Sequence, residues 1–406
     1  MKIFFTFLIF TILLISCKKE SYQKLEKGSY RAVLEVQDNQ ELPFIFEVTN
    51  ENEINIFNAD ETIKVDEITY KNDSIIIKTP VYEGYIIAKI TKEGLKGSFI
   101  KESVDRIVPF SATKSNNRFS VKENATENVS GNWETVFSQN SEEERYIAKG
   151  IFNQNNNKVT GTFRTTTGDY RYLEGVVDGD SLKLSTFDGA HAFLFSAKIT
   201  NSIINGFFYS GNHWKEPFVA KLNNTYELPN EENLTYLKED FSKFDFSFPD
   251  QTGNIISFSD KRFQNKVVLV QIMGTWCPNC LDESKYYVNY LQENPNKDIE
   301  IVALAFEIAK TKEIAFSRIK RLKDRIEIKY SVLLADFGNI ADKKIAQKKL
   351  PMLNHILSYP TTIFIDKKGT VRKIHTGFNG PATGKKFIEF KQEFERFLNM
   401  LSNEKE

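Results

Sequence analysis

The sequence is poor in the thiol and imidazole side chains that bind zinc, and it has no surplus charge of either sign. Its 406 residues include only three cysteines and four histidines. The 54 basic and 54 acidic side chains leave no net charge, so nothing indicates a nucleic-acid partner. With 41% hydrophobic and 27% charged residues, the composition is that of a soluble protein long enough for two or three domains.

The N-terminus carries a short apolar run, from Ile3 to Ile15, that follows the basic residue Lys2. The run is shorter than the roughly 20 residues that span a bilayer, and it fits the hydrophobic part of a secretory signal. It ends in Leu14-Ile15-Ser16-Cys17, which resembles the lipobox of bacterial lipoproteins. The resemblance implies cleavage before Cys17 and lipidation of that cysteine. The alternative is an ordinary cleaved signal, or a short anchor, with a chance cysteine.

The lipobox predicts a lipid-anchored protein of the cell envelope that faces the periplasm. Residues 1–16 would be the signal peptide and residues 17–27 a polar tether. Several acyl chains make a stable anchor, because each buried methylene contributes ~0.8 kcal/mol. Lipidation also removes Cys17 from thiol chemistry, which leaves two cysteines three positions apart.

Residues from about 25 to 225 show an all-β pattern, in which short β-prone stretches alternate with Asn, Asp and Gly turns. Short motifs recur there in a fixed order, 103 to 109 residues apart: Gly28-Ser29-Tyr30 with Gly131-Asn132-Trp133, Asp73-Ser74-Ile75 with Asp180-Ser181-Leu182, Ala88-Lys89-Ile90 with Ala197-Lys198-Ile199, Gly97-Ser98-Phe99 with Gly206-Phe207-Phe208, and Pro109-Phe110 with Pro217-Phe218. The pattern predicts a duplicated β-unit, 28–114 and 131–222, with linkers at 115–130 and 223–243. It is compatible with two small barrels or sandwiches and with two halves of one larger structure.

From residue 244 to residue 406 strand-like and helix-like stretches alternate, as in an α/β domain. Strands are predicted at 266–273, 299–306, 331–335, 361–366 and 370–374, and helices at 277–292, 315–326 and 387–401. A further helical stretch from Ile340 to Leu357 is predicted, which Pro351 would kink or split. We expect it to cover the sheet, and the alternative is that it shapes the substrate face.

The two remaining cysteines lie in Trp276-Cys277-Pro278-Asn279-Cys280, at a predicted strand-to-helix junction. The N-terminus of a helix carries partial positive charge and unpaired N–H groups, which stabilise a thiolate at Cys277. Cys280, one turn further on, is placed to attack a mixed disulfide at Cys277. The motif predicts a dithiol that cycles with a Cys277–Cys280 disulfide.

The alternatives for this cysteine pair are a structural disulfide and a zinc site. A zinc site would need about two further ligands, which the histidine spacing does not supply. A disulfide across so short a loop is strained and reducible, which favours redox use. No metal and no cofactor are predicted.

Residues 244–402 resemble the thioredoxin-like thiol-disulfide oxidoreductases of the TlpA and ResA type. The matching pieces occur in the family's order: Phe248-Pro249-Asp250 with Gly253, Val267 to Gln271, Trp276 to Cys280, Glu283, Tyr359-Pro360-Thr361, Thr362 to Gly369, and Gly377-Phe378-Asn379-Gly380. The resemblance covers about 40% of the chain and implies a thioredoxin-like fold there.

The resemblance also implies roles for residues around the cysteines. Glu283 matches a glutamate that the family places near the active-site sulfurs. It would transfer protons, because Gln271 stands where cytosolic thioredoxins have a buried acid. Trp276 and the cis-proline loop Tyr359-Pro360-Thr361 would bind the substrate, whose backbone would pair with the loop as a strand does. The alternative for Glu283 is a solvated carboxylate in the first turn of a helix.

The leading hypothesis is a membrane-anchored periplasmic thiol-disulfide oxidoreductase, which we expect to reduce protein disulfides with electrons from an external donor such as a membrane thiol-disulfide relay. The first alternative is a peroxiredoxin-like thiol peroxidase. That family usually places Thr or Ser three residues before its reactive cysteine, where this chain has Gly274. The second alternative is a ligand- or partner-binding lipoprotein with a secondary redox domain. In that case Trp133, Tyr209 and Trp214 would line a pocket rather than a core.

Overall fold

The computed structural model describes residues 24–230, 234–295, 298–338 and 343–404. It confirms the predicted fold class, an all-β N-terminal region followed by a thioredoxin-like α/β domain.

The first β-unit is a nine-stranded antiparallel sheet. Its strands are β1 (Gly28–Glu35), β2 (Glu41–Asn50), β3 (Glu53–Asn58), β4 (Glu61–Val65), β5 (Glu67–Lys71), β6 (Ser74–Lys78), β7 (Tyr85–Ile90), β8 (Gly94–Lys101) and β9 (Arg106–Lys114). They are ordered β4-β3-β2-β1-β9-β8-β7-β6-β5. Only Asp66 separates the two edge strands in the chain, so the sheet curls until its edges meet there. Leu25, in the segment predicted as a tether, is buried in the core of this unit.

The second β-unit is a closed barrel. Its strands are β10 (Gly131–Phe137), β11 (Tyr146–Asn155), β12 (Lys158–Thr165), β13 (Gly168–Asp169), β14 (Leu173–Asp178), β15 (Ser181–Phe187), β16 (Ala192–Thr200), β17 (Ile203–Ser210) and β18 (Trp214–Leu222). β12 pairs with both β11 and β14, which closes a ring of eight strands, and the short β13 extends β12. Aromatic side chains fill the interior, among them Trp133, Phe137, Phe163, Phe195 and Phe218.

The sequence repeat corresponds to equivalent positions in the two units. Ala88 faces Gly97 across β7 and β8, and Ala197 faces Gly206 across β16 and β17. A Cβ atom at either glycine would lie 2.0 or 2.3 Å from a carbonyl oxygen of the neighbouring strand. Both units therefore need glycine at this position, which explains one of the recurring motifs.

The two β-units share part of their packing. Phe187, Leu194 and Tyr209 of the barrel belong to the hydrophobic core of the first unit. Between the units, the buried guanidinium of Arg118 donates a hydrogen bond to the carbonyl oxygen of Ser185 at 3.2 Å and another to that of Phe57. Arg118, in the segment predicted as a polar linker, is thus packed between the units, whereas most other residues of that segment are exposed.

The C-terminal domain contains a central five-stranded sheet. A hairpin of β19 (Ser247–Pro249) and β20 (Ile255–Ser257) precedes the sheet strands β21 (Val267–Met273), β22 (Ile299–Glu307), β23 (Ser331–Phe337), β24 (Thr361–Ile365) and β25 (Val371–Thr376). The helices are α1 (Pro278–Glu293), α2 (Lys312–Ile326), α3 (Lys343–Lys349) and α4 (Lys385–Asn403). The sheet order is β23-β22-β21-β24-β25. Strands β23, β22 and β21 pair in parallel, whereas β24 pairs antiparallel with both β21 and β25. Every residue of β21 is buried, as expected for a central strand.

One prediction for this domain is partly wrong. Within the described part of the segment from Ile340 to Leu357, only α3 is helical, and no helix resumes after Pro351. Leu353 instead forms a bridge with Leu237 of the preceding linker and is fully buried. From Met352 to Asn354 the backbone of this segment pairs with the linker, so the burial of Leu353 does not require a helix.

Candidate active site

Cys277 lies at the N-terminus of α1, directly after the strand β21 and its connecting turn. It is the residue that caps the helix, and its Sγ accepts a hydrogen bond from the backbone N–H of Cys280 at 3.2 Å. Pro278 occupies the first helical position, where a missing N–H costs nothing. The Cys277 thiol also lies 3.5 Å from the carbonyl oxygen of Tyr359, to which it can donate. The positive end of the helix faces a sulfur that can become a thiolate.

Cys280 lies behind Cys277, away from solvent. Both thiols are free, Cys280 is fully buried, and Cys277 is 6% exposed. Burial raises the pKa of the Cys280 thiol well above its ordinary value, and the neighbouring Cys277 raises it further. An incoming disulfide therefore reaches Cys277 first, and Cys280 needs a proton acceptor before it can react.

Glu283 is a buried carboxyl one helical turn after Cys280. It accepts a hydrogen bond from the amide of Gln271 at 2.8 Å and one from the hydroxyl of Thr362 at 3.0 Å. Burial raises its pKa to about 7, although these hydrogen bonds oppose the shift. The alternative of a solvated carboxylate is wrong, because Glu283 has no exposed surface.

A second buried carboxyl, Glu307, was not identified from the sequence. It accepts hydrogen bonds from the backbone N–H of Thr275 at 2.8 Å and from its hydroxyl at 2.5 Å. Glu307 thereby fixes the turn that precedes Trp276, and burial raises its pKa to about 7. The available signal was an acidic residue directly after the apolar run that forms β22.

The predicted substrate loop lies beside the cysteines. The peptide bond between Tyr359 and Pro360 is cis. The rings of Trp276 and Tyr359 meet edge to face, with centroids 5.4 Å apart, and the Trp276 indole donates to the carbonyl oxygen of Phe306 at 2.9 Å. The hydroxyl of Thr361 is buried and donates to the carbonyl oxygen of Ser358 at 2.8 Å, so it points into the loop.

The barrel contacts the active-site turn directly. The side-chain amide of Asn279 donates to the carbonyl oxygen of Asp169 at 3.2 Å. The guanidinium of Arg171 donates to the carbonyl oxygen of Pro278, also at 3.2 Å. From the cis-proline loop, the hydroxyl of Ser358 donates to the carbonyl oxygen of Thr167 at 2.8 Å. The hairpin between β12 and β14 therefore holds two sides of the site.

Arg171 connects all three parts of the molecule. Its fully buried guanidinium forms ion pairs with Glu61 of the first β-unit, Asp188 of the barrel and Asp282 of α1. These carboxylates raise the pKa of Arg171, against the effect of burial. Nothing in the sequence pattern distinguishes Arg171 from other arginines.

The barrel and the C-terminal domain enclose a cleft of about 850 Å³, into which Cys277 opens. One wall holds Trp276 and Tyr359, and the other consists of barrel residues that include Trp214. Trp214 is 39% exposed, whereas Trp133 and Tyr209 are buried in cores. Of the three aromatic residues considered for a pocket, only Trp214 lines this cleft.

Within the described residues, no group of three or more His, Cys, Asp or Glu side chains could hold a metal ion. The Nδ1 atom of His191 lies 3.2 Å from a carboxylate oxygen of Asp188, and the ring of His375 packs against that of Phe390.

None of the helices in the described ranges is long and apolar enough to cross a membrane. The predicted signal peptide, residues 1–16, and the predicted lipid acceptor Cys17 fall outside the described residues.

Comparison with known proteins identifies relatives of the C-terminal domain. Residues 242–374 match the model of the AhpC/TSA family. The chain is 28% identical to the thioredoxin-like protein YneN of Bacillus subtilis over 133 residues, which cover 33% of this chain and 68% of that protein. It is 26% identical to the thiol-disulfide oxidoreductase ResA of Halalkalibacterium halodurans over 132 residues, which cover 32% of this chain and 65% of that protein.

Similar solved structures include a putative thiol:disulfide interchange protein DsbE from Chlorobium tepidum, with 18% identity, a TM-score of 0.30, and coverage of 40% of this chain and 99% of that one. Another is a thiol-disulfide oxidoreductase from Bacteroides fragilis, with 18% identity, a TM-score of 0.28, and coverage of 37% and 99%. The family match and the curated relatives agree with the observed fold. The C-terminal region of this chain is therefore a thioredoxin-like domain, and it is similar to thiol-disulfide oxidoreductases of the ResA type.

Proposed function

We propose that the protein is a lipid-anchored thiol-disulfide oxidoreductase of the cell envelope that reduces protein disulfides with the Cys277–Cys280 dithiol. The observation that carries this proposal is the position of Cys277, whose sulfur caps a helix N-terminus and lies 3.5 Å from a backbone carbonyl of the cis-proline loop. This sulfur accepts a hydrogen bond from the backbone N–H of Cys280 and faces the loop beside which a substrate disulfide would lie.

Reduction proceeds in two exchanges. The Cys277 thiolate attacks one sulfur of the substrate disulfide, the substrate S–S bond breaks, and a mixed disulfide forms while one substrate thiolate leaves. Cys280 then loses its proton and attacks the Cys277 sulfur, which releases the second substrate thiolate and leaves a Cys277–Cys280 disulfide. Two electrons pass from the enzyme dithiol to the substrate.

Glu283 is the proton acceptor that we assign to Cys280. It lies three residues further along α1, it is buried, and its pKa is raised to about 7. A general base works best when its pKa lies near the working pH. Gln271 cannot titrate, and its amide holds the Glu283 carboxyl in place.

Reduction, rather than oxidation, is inferred from the resemblance to the ResA type. An enzyme that reduces one disulfide ends oxidised, so each cycle needs an external reductant, which we assign to a membrane thiol-disulfide relay.

Trapping tests the redox proposal. A Cys280→Ser variant should accumulate mixed disulfides through Cys277, which appear as slower bands on non-reducing gels and vanish with dithiothreitol. Cys277→Ser is the matched control and should trap nothing. Absence of trapped partners, together with no reduction of insulin disulfides by the wild-type protein, would refute the proposal.

The peroxidase alternative has less support. A Cβ atom at Gly274 would lie 2.3 Å from the indole nitrogen of Trp276, which leaves no room for the Thr or Ser that peroxiredoxins usually place there. The nearby hydroxyl of Thr275 is bound to Glu307. Thiol-dependent consumption of hydrogen peroxide at a rate that exceeds disulfide reduction would favour the peroxidase.

Membrane anchoring through Cys17 is tested separately. In a Gram-negative host, the wild-type protein should sediment with membranes and incorporate labelled palmitate. Cys17→Ser should do neither, although its redox activity should persist. A variant that still sediments with membranes would argue against a lipid anchor.

A further inference from the structure

The cleft beside Cys277 has one wall that the redox chemistry does not require. Strands β12 and β17 end there and β16 and β18 begin there, so this wall is one end of the barrel. Its side chains include Tyr170, Phe208 and Trp214. The rings of Tyr170 and Phe208 meet edge to face at 5.3 Å, within the aromatic cluster that fills the barrel. The wall is therefore aromatic, and the packed interior of the barrel holds its Tyr170 and Phe208 rings in place.

The charged side chains around the cleft are mainly acidic. The exposed carboxyls of Glu143 and Glu144 line it, together with the guanidinium of Arg145 and the imidazole of His191. Asp169 also lines it, but its carboxyl accepts hydrogen bonds from the backbone N–H groups of Arg171 and Gly380 and is buried. His213 also lines it, and partial burial, together with the nearby cations Arg106 and Lys101, lowers the pKa of this imidazole to about 4, so it is neutral at pH 7. A substrate segment with negative charge would be repelled, whereas a neutral or basic one would not.

The geometry limits what can reach the nucleophile. Cys277 is 6% exposed, and the space above it is about 850 Å³. That volume is typical of a pocket for a small ligand, and the sulfur of a substrate has to enter it to reach Cys277. A narrow chain segment fits such a cleft.

We propose that the barrel makes the enzyme selective for disulfides in flexible polypeptide segments that carry an aromatic residue beside the cysteine and no net negative charge. This inference rests on the proposed function, since it assigns the substrate class of the same site. The aromatic residue packs against the barrel wall near Trp214, while the substrate sulfur reaches Cys277. The two exchanges described above then transfer two electrons from the dithiol, and two peptide thiols leave.

The test uses the pre-reduced full-length protein and three symmetric peptide disulfides, each a dimer of a short capped peptide with one cysteine. Phenylalanine, alanine or aspartate stands beside the cysteine. A single turnover on excess peptide needs no external reductant, and the released peptide thiol is quantified by chromatography after acid quench. We expect the phenylalanine peptide to react about fivefold faster than the alanine peptide, and the aspartate peptide to react most slowly.

Variants then locate the selectivity. Trp214→Ala should lower the phenylalanine-to-alanine rate ratio to about one. Phe207→Ala removes an aromatic side chain of similar exposure, 41% against 39%, that lies outside the cleft, and it should leave the ratio unchanged. The exposed double variant Glu143→Gln with Glu144→Gln should raise the aspartate-to-alanine ratio about threefold, and it keeps the charge argument testable if Trp214→Ala does not fold.

The outcomes separate the two proposals. If the wild-type protein reduces none of the peptides, or if Cys277→Ser reduces them equally well, the proposed function fails. Reduction of all three peptides at equal rates through Cys277 would preserve that function and overturn the selectivity. Equal effects of Trp214→Ala and Phe207→Ala on the ratio would also overturn it.

Discussion

Two buried carboxyl groups lie on either side of the Cys277–Cys280 turn. Glu283 projects from α1 and Glu307 from the end of β22, and burial raises the pKa of each to about 7. A raised carboxyl pKa means that the folded protein binds the proton more tightly than the unfolded chain does. These groups therefore contribute a destabilisation that is absent at low pH and grows as the pH rises from about 4.5 to about 7.

Glu283→Gln should remove one of these contributions. Glutamine keeps the shape of the side chain and does not titrate. The free energy of unfolding of the variant, relative to the wild-type protein, should therefore increase by about 3 kcal/mol between about pH 4 and pH 8. Urea denaturation at several pH values measures this difference.

Glu389→Gln, at an exposed carboxyl on α4, is the control and should show a flat difference across the same range. A flat difference for Glu283→Gln as well would mean that Glu283 does not hold a proton near neutral pH.

At the scale of elements, α2 attaches the C-terminal domain to the first β-unit through one face. Arg318, Arg321 and Arg325 lie on that face and pair with Glu83, Glu67 and Asp66. The pairs differ in exposure. The side chains of Arg318 and Glu83 are 17% and 15% exposed, whereas those of Arg325 and Asp66 are 26% and 40% exposed.

This gradient predicts a graded loss of stability. Arg318→Ala should lower the free energy of unfolding by about 1–3 kcal/mol, because it leaves the largely buried Glu83 without its cation. Arg325→Ala should cost about 1 kcal/mol or less, as partly exposed ion pairs do. Lys320→Ala, which removes a solvent-exposed pair with Asp324, serves as the control, with a cost near zero. Equal losses at Arg318 and Arg325 would contradict the gradient.

The elements differ in how well the sequence predicts them. The strand Val267–Met273 and the helix Pro278–Glu293 follow from a continuous apolar run and from a proline at the first helical position. The segment around Leu353 was predicted incorrectly, because its apolar residues suit a helix but are buried by a linker. Single-residue contacts such as Glu307 with Thr275 leave no periodic signal that would reveal them.

At the scale of the whole molecule, the duplication was predictable but the difference between its copies was not. In the barrel, β12 pairs with β14 and closes the ring. In the first unit, β4 stands at one edge and β5 at the other, and the two edges do not pair within the described residues. Nothing in the recurring motifs marks this difference, which depends on whether the two sheet edges of a unit pair with each other.

Arg171 is the residue whose removal should affect the whole molecule most. Arg171→Met leaves Glu61, Asp188 and Asp282 buried without their shared cation, so the free energy of unfolding at pH 7 should fall by about 3–5 kcal/mol. The loss should be smaller at about pH 5, because the uncompensated carboxylates then take up protons more readily. Denaturant unfolding at both pH values measures it.

Arg164→Met is the matched control for Arg171→Met. Arg164 lies in the same barrel and is similarly buried, but its acidic partner, Glu227, is 68% exposed and keeps its hydration. We expect a loss of about 1–2 kcal/mol, with little dependence on pH. Equal losses for the two variants would mean that Arg171 does not have the linking role described here.

The two walls of the cleft come from stretches of the chain more than fifty residues apart, Trp214 on one side and Trp276 on the other. Under the proposed selectivity, substitutions in the barrel alone can change which proteins are reduced, while Cys277, Cys280 and Glu283 stay as they are. Exchanging, between related proteins, the barrel residues that line the cleft is accordingly a route to oxidoreductases that accept new substrate proteins and keep the same cysteine pair.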